Sequence, residues 1–213
     1  MSLWVVFVAR RTVLTTHAQY MPTKQFLTPA GQTWSTVSAT LLREGSAIRA
    51  CLPETLDDRF ISESLIIALV AKFQAFGRDL FAYGAGRIAV LVGGGFGAVI
   101  KGALVEDSRL TRGNASSGNL AIEFRRFGID VWDVLATRGI DSVQLRRDLN
   151  RVNDLRNALA HGQAVERELM PVAIVDVFRV FAQLDGVAAL LDDVMATHLV
   201  TLEHESWRAD GYE

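Results

Sequence analysis

The sequence predicts an all-α protein, because it carries two apolar stripes of helical spacing and has the composition of a globular chain. One stripe follows a single helix face and consists of Leu145, Leu149, Val152, Leu155 and Leu159. A second has the spacing of a helix that packs on another helix and consists of Leu69, Phe73, Phe76, Leu80 and Tyr83. Half of the 213 residues are hydrophobic, which is enough for a sizeable core. We therefore expect one domain built as a bundle of four to five helices.

An irregular arm over residues 1–33 is predicted to precede the bundle. Proline and glycine in its last third favour a loop, and Met21 is an alternative first residue of the natural chain. The helical domain is predicted over residues 34–213. Its first helix is expected at Trp34–Leu52, because Pro53 disfavours helical backbone at the residue before it.

The later helices are predicted from their apolar spacing and from glycine and proline between them. The second helix begins near Glu54 and is the longer one that carries the Leu69–Tyr83 stripe. The third is expected at Asn119–Arg138 and the fourth at Asp141–His161, which we place at the centre of the bundle. Pro171 opens the last helix, which runs towards residue 202.

Composition and the N-terminal sequence exclude several classes of protein. The apolar run Leu3–Ala9 is short, and two arginines follow it instead of preceding it, so a signal peptide is not predicted. The uncharged run 88–100 ends at Lys101, short of the roughly 20 residues that a membrane span requires. The single cysteine, Cys51, permits no internal disulfide and indicates a reducing compartment. We expect a cytoplasmic protein without a membrane partner.

The glycine-rich segment 84–118 leaves two interpretations open. Gly93, Gly95 and Ala98 satisfy the G-x-G-x-x-A pattern that a dinucleotide-binding turn shows after a strand, and an apparent strand precedes them. No second buried strand follows at the required distance. We therefore prefer a tightly packed helical hairpin or loop in which small residues let two backbones approach, and keep dinucleotide binding as the lesser alternative.

The most informative motif is the string Arg156–His161, which places a guanidinium, a carboxamide and an imidazole within six residues at the end of a helix. Arg156 projects into the apolar stripe, so it needs a specific partner or a polar cavity. Beside that stripe runs a polar ridge, defined as Arg146, Asn150, Asn153, Asn157 and His161. The ridge contains three asparagines and no carboxylate, whereas a merely solvated helix face would carry glutamate and lysine.

This R-N-x-x-x-H string resembles the signature of the HEPN superfamily, whose members are small all-helical domains and in many cases metal-independent RNA nucleases. The resemblance implies a HEPN-like bundle over about residues 34–202. It also implies a toxin of a toxin–antitoxin or phage-defence system, with an antitoxin protein as partner, and a homodimer in which two motifs form one composite cleft. Some HEPN toxins carry a tyrosine, modified by a partner nucleotidyltransferase, where Gln163 stands here. That mode of silencing is therefore not expected.

The residue types in the motif suit RNA cleavage without a metal or a cofactor. RNA supplies its own nucleophile, the 2′-hydroxyl. His161 is suited to move a proton near neutral pH, and Arg156 offers a bidentate fork for the charge that develops on the phosphate. Asn157, one turn before His161, is placed to hold the imidazole or a phosphate oxygen. Arg156, His161 and Asn157 are thus the predicted catalytic residues.

Further residues of the fourth helix are expected to bind RNA or to support the two-fold interface, namely Arg146, Asn150, Asn153 and Arg151. Nine arginines against six acidic residues between Arg109 and Arg156 are compatible with an RNA partner. The alternative is a non-catalytic helical module that keeps the HEPN scaffold for dimerisation or for binding nucleotides or RNA. Catalysis requires Arg156 and His161 to be free at a cleft, whereas a scaffold tolerates both in internal hydrogen bonds.

Overall fold

A computed structural model describes residues 25–51, 59–161 and 174–209. It is all-helical over these ranges, with no strand, so the all-α prediction is confirmed. The described residues form eight helices: α1 (Pro29–Ala50), α2 (Arg59–Val92), α3 (Gly94–Val105), α4 (Arg109–Arg112), α5 (Ser117–Arg126), α6 (Val131–Thr137), α7 (Ser142–Ala160) and α8 (Ile174–Ala209). This exceeds the expected four to five, because short helices occupy the region between α3 and α7. Predictions for residues 1–24, Leu52, Pro53, Glu54, Gly162, Gln163 and Pro171 lie outside the described residues.

The long helix α2 is the element on which the others pack. Its 34 residues extend about 50 Å at 1.5 Å per residue, and it contacts α1, α3, α7 and α8. Its predicted stripe is buried at Leu69, Phe73, Phe76 and Leu80, and Tyr83 packs against the same core. The prediction that the 141–161 helix lies at the centre is therefore wrong: α7 packs on one side of α2.

The start of α1 corrects the predicted arm, because residues 29–33 already belong to the helix. Pro29 occupies the first turn, where its missing N–H costs nothing, and the Thr28 hydroxyl caps the helix. Asp192 of α8 holds this cap in place. Its buried carboxylate accepts hydrogen bonds from the Leu27 N–H at 2.5 Å, from the Thr28 N–H and from the Thr28 hydroxyl. The start of α1 is thus tied to α8, more than 160 residues further along the chain.

The glycine-rich segment is a helical hairpin, as the preferred interpretation predicts. The apparent strand is the end of α2, and the chain reverses at Gly93, whose φ of 70° favours glycine. At Gly97 the backbone of α3 lies so close to α2 that an added Cβ would stand 2.2 Å from the Ala89 carbonyl oxygen. Because a helix precedes the G-x-G-x-x-A string, the strand that a dinucleotide-binding turn needs is absent from the described chain around it.

The predicted third helix, Asn119–Arg138, is two helices, α5 and α6. Gly128 stops α5 with a φ of 78°, and the Ile129 N–H returns to the Phe124 carbonyl oxygen at 3.0 Å. This is a Schellman arrangement, which satisfies the last carbonyl groups of a helix. Asp130 then caps the start of α6. A glycine followed by an apolar residue was the local sign of this break.

One helix among the described residues, α2, is long and apolar enough to cross a membrane by length and composition. In its most apolar window 39% of the residues are buried inside the protein. The core helix of a globular protein meets the same criterion, and α2 is the core helix here.

Replacing Asp192 by alanine is expected to destabilise the protein by about 2–4 kcal/mol. The change leaves buried N–H and O–H donors at the start of α1 without an acceptor. Urea unfolding followed by circular dichroism measures the loss. Asp193→Ala is the matched control, because that exposed carboxylate pairs with Arg138 at the surface and its loss should cost under about 1 kcal/mol. Equal losses in the two variants would contradict the anchoring role of Asp192.

The protein is expected to become less stable as the pH is lowered, because His198 takes up a proton more readily in the unfolded chain. Burial holds the pKa of this imidazole below its ordinary value, against a hydrogen bond with the Phe127 backbone and the charge of Glu205, which both raise it. The unfolded chain therefore binds more protons below about pH 6.5, and the contribution present above that pH is lost as the pH falls. Melting temperatures between pH 5 and 7.5 should show a smaller decline in His198→Gln than in wild type. His204→Gln, which removes an exposed imidazole of the same helix, is the control, and parallel declines in all three proteins would argue against this role.

Candidate functional site

The motif lies at the carboxyl end of α7, whose predicted apolar stripe is confirmed. Leu149, Val152 and Leu155 are buried, and the two outer members of the stripe pack against the same core. Asp141 caps the start of the helix by accepting a hydrogen bond from the Gln144 N–H at 2.9 Å. The helix ends with His161 as its last capping residue. The guanidinium, the carboxamide and the imidazole thus sit on the final turn and a half of a well-anchored helix.

Arg156 is half-buried, and its partner is the residue that follows it. One terminal nitrogen, Nη1, donates to the Asn157 Oδ1 at 3.1 Å. Its Nε is buried and has no hydrogen-bond partner among the described residues. The other terminal nitrogen, Nη2, makes no hydrogen bond within that part of the chain. The guanidinium is therefore held through Nη1, and among the described residues Nη2 is the terminal nitrogen left to meet a ligand, since Nε is buried.

A chain of carboxamides links this guanidinium to the central helix. The Asn157 Oδ1 accepts a second hydrogen bond, from the Asn114 Nδ2 at 3.3 Å. The Asn114 Oδ1 accepts in turn from the Gln74 Nε2, on α2, at 2.9 Å. Arg156 is thereby positioned through three amide side chains that come from three separate parts of the sequence. Neither Gln74 nor Asn114 was predicted as a site residue, because neither belongs to a periodic pattern or lies near the motif in sequence.

The polar ridge of α7 holds the segment 114–117 of the same chain. Asn153 is buried and donates to the Ala115 carbonyl oxygen at 3.3 Å and to the Leu149 carbonyl oxygen at 2.9 Å. Asn150 accepts from the Ser117 N–H at 3.1 Å. Carboxamides suit this task, because each can both donate to a backbone carbonyl and accept from a backbone N–H. The segment 114–117 needs both donors and acceptors for its polar groups, and this explains why three asparagines lie on one face of α7.

This arrangement changes the predicted use of the ridge. Asn153 is not accessible to RNA or to a second protomer, and the side chains of Asn150 and Asn157 are engaged within the chain. The two predicted arginines, Arg146 and Arg151, are exposed on α7. The Arg146 guanidinium lies 5.9 Å from the ring centre of Trp132, at the distance of a cation–π contact.

His161 is exposed at the end of α7, and its backbone N–H donates to the Asn157 carbonyl oxygen at 3.1 Å. At about 100° per residue, His161 stands roughly 40° from Asn157 around the helix and roughly 140° from Arg156. The helix therefore brings Arg156 and Asn157 into contact and leaves the imidazole beyond them, at the rim. No described residue makes a hydrogen bond to the imidazole ring.

Comparison of the chain with protein-family models, with curated proteins and with solved structures finds no match. The described residues also contain no group of three or more His, Cys, Asp or Glu side chains that could hold a metal ion. A proposal about function therefore depends on what the residues around Arg156 and His161 can do.

Removing the Asn153 carboxamide is expected to loosen the segment 114–117. Asn153→Ala leaves the buried Ala115 carbonyl oxygen without its partner, which should cost about 1–3 kcal/mol in urea unfolding. Asn150→Ala, at an exposed position, should cost under about 1 kcal/mol but should speed hydrogen exchange of the Ser117 amide. Amides in the middle of α2 serve as the internal reference. Unchanged stability of Asn153→Ala would show that the ridge does not hold this segment.

Proposed function

We propose that this protein is a metal-independent endoribonuclease of HEPN type that acts as a toxin in a toxin–antitoxin or phage-defence system. The observation that supports the proposal is the half-buried Arg156, which Asn157 holds on one edge while the exposed His161 follows at the end of the same helix. A guanidinium fixed before substrate arrives is suited to stabilise charge on a phosphate without reorganising. An exposed imidazole at a helix end is suited to proton transfer.

The proposed reaction is attack of the 2′-oxygen of a ribose on the adjacent phosphorus. The bond from the 2′-oxygen to phosphorus forms, the bond from phosphorus to the 5′-oxygen breaks, and a 2′,3′-cyclic phosphate and a 5′-hydroxyl result. Arg156 would stabilise the extra charge on the phosphate oxygens through Nη2, because Nε is buried and Nη1 is engaged with Asn157. His161 would take the 2′-hydroxyl proton. Because the Asn157 Oδ1 already accepts from Arg156 and Asn114, Asn157 acts here as a positioning residue for the guanidinium.

Two protons move in this reaction, and one chain offers a single imidazole in the motif. One proton leaves the 2′-hydroxyl, and another must reach the departing 5′-oxygen. A second copy of the chain would supply the second His161, which supports the homodimer that the resemblance implies. Such a pair would meet near the rim at His161, since the segment 114–117 already covers the ridge between Asn150 and Asn157.

The exposed arginines of α7 would hold the RNA beside the site. Arg146, Arg147 and Arg151 precede Arg156 on the same helix, over about 15 Å of its length. At about 100° per residue, Arg146 stands roughly 80° from Arg156 around the helix and Arg151 roughly 140°, so Arg146 is the nearer cation for a neighbouring phosphate.

A non-catalytic helical module is the second candidate, and one observation favours it. All three ridge asparagines make hydrogen bonds within the chain, and the Arg156 Nε is buried, as a structural role would require. Such a module would bind RNA or a second copy without cutting. Cleavage assays on folded variants separate the two candidates.

His161→Ala is expected to lower the rate of RNA cleavage by about 10²–10⁴-fold, the range of a lost proton-transfer group. Arg156→Lys is also expected to lower the rate of RNA cleavage, because the point charge of lysine does not reproduce the planar guanidinium. Gel analysis of a labelled oligoribonucleotide in excess EDTA should show cyclic-phosphate products from the wild type. The matching oligodeoxyribonucleotide should remain intact, because it lacks the 2′-hydroxyl.

The control for His161→Ala is His204→Ala, which removes another exposed imidazole, on α8. Melting curves must first show that each variant is folded, since Arg156 borders the core. A folded His161→Ala protein that cuts RNA at the wild-type rate would mean that the assigned site is wrong. A strictly monomeric wild type that retains activity in sedimentation would refute the composite cleft and leave the single-chain site in place.

A further inference from the structure

The hairpin formed by α2 and α3 ends in an apolar surface that the described part of the chain leaves uncovered. We define the hairpin tip as residues 88–100, thirteen residues without a charge. The side chains of Val90, Phe96 and Val99 are 76%, 79% and 68% exposed. All three lie within six residues of the reversal at Gly93. A patch of this kind on a monomer ordinarily marks an interaction site.

The sequence of α3 makes this exposure unusual. Lys101 is its one charged residue, and apolar or glycine residues occupy the remaining positions on every side. A helix that is apolar all round is ordinarily buried in a core or in a membrane. Here the end near Val105 packs against the protein core, and Arg126 donates to the Ala103 carbonyl oxygen. The opposite end, at the tip, has Gly97 as its one buried residue.

One basic residue on each helix of the hairpin lies at a similar distance from the tip. No acidic residue occurs between Asp79 and Glu106, and the two cations in that interval are Arg87 on α2 and Lys101 on α3. Both are exposed, and Arg87 pairs with Glu203 at the surface. At 1.5 Å per residue each lies about 10 Å behind the reversal. An interfacial segment buries its apolar face about 5–10 Å below the lipid headgroups, so this distance would place the two basic residues at headgroup level when the tip is inserted.

We propose that the hairpin tip inserts into the interfacial layer of a membrane that contains anionic lipids, with Phe96 and its apolar neighbours among the acyl chains. Arg87 and Lys101 then lie at the headgroups, where long basic side chains place their charge. The tip is too short to span the bilayer, so the protein binds one leaflet. This inference concerns a surface remote from Arg156 and does not depend on the proposed cleavage. It departs from the expectation of no membrane partner, which was based on the length needed for a span.

Area and charge favour the membrane over a second copy of the chain. The tip exposes four large apolar side chains, Val90, Val92, Phe96 and Val99, whereas a standard protein–protein interface uses about 20–30 residues on each side. A stable protein–protein interface buries about 800 Å² on each partner. Two tips packed together would also bring the Lys101 charges of both copies into the same region, whereas an anionic leaflet complements Lys101; the charge of Arg87 is already paired with Glu203.

Vesicle flotation of the full chain tests the proposal. The vesicles consist of phosphatidylcholine, either alone or with roughly 30% phosphatidylglycerol to supply a negative surface. Wild type is expected to float with the anionic vesicles, and Phe96→Asp to lose at least tenfold in bound fraction. Phe60→Asp is the matched control, because Phe60 is 77% exposed and also lies in the first turn of a helix, where an acidic residue is tolerated. It stands about 40 Å from the start of the tip along α2. Lys101→Gln is expected to weaken the preference for anionic vesicles and to leave the residual binding in place.

A second measurement places the tip directly. Phe96→Trp should show a larger fluorescence blue shift with anionic vesicles, and more quenching by lipids brominated on the acyl chain, than the wild type with its four native tryptophans. Equal flotation of Phe96→Asp and Phe60→Asp, or no fluorescence shift at position 96, would overturn the proposal. So would a vesicle-free dimer that Phe96→Asp converts to a monomer, because a second copy would then be the occupant of the patch.

Discussion

The whole structure depends on covering one helix that is apolar on nearly every face. An α-helix of this kind cannot remain in water along its length, so α1, α7 and α8 pack around α2 from Ser62 to Ala85. Their packing on α2 fixes the positions of those three helices. Beyond Ala85 the helix continues to Val92, but no residue there is fully buried. The core and the motif helix α7 therefore lie where other helices cover α2, and the exposed hairpin lies where this cover ends.

A second constraint acts on the segment between α4 and α5, whose backbone groups have no helical partners. The carboxamides of α7 supply them, and Asn114 returns the connection to Gln74 on α2. Arg156 inherits its position from this network through Asn157. Under the proposed function, stability and activity would be coupled at Asn157, whose side chain holds both Arg156 and Asn114. They are separable at His161, which is exposed and makes no side-chain hydrogen bond with a described residue.

The elements that the sequence predicts correctly are those with a periodic signal. The stripes of α2 and α7 and the close approach at Gly97 follow from spacing and residue size alone. The single helix expected over residues 119–138 was wrong, because a Schellman stop at Gly128 is a local event that apolar periodicity does not report. The ridge was predicted to face RNA or a second protomer, and its asparagines instead hold a segment 33–38 residues earlier in the chain. A long-range hydrogen bond leaves no periodic trace, so Gln74 and Asn114 could not be predicted.

The rigid helix α2 also relates the two proposed surfaces to each other. Gln74, which anchors the network behind Arg156, lies 18 residues before the end of α2, or about 27 Å along the helix axis. A tip inserted about 10 Å into one leaflet would thus keep the motif outside the headgroups, in reach of RNA in solution. Membrane binding would then raise the local concentration of the protein at a surface without entering the chemistry of the site. Substitutions at the tip would change where the protein acts, and substitutions at Arg156 and His161 would change whether it acts, because the tip and the motif lie at different levels along α2.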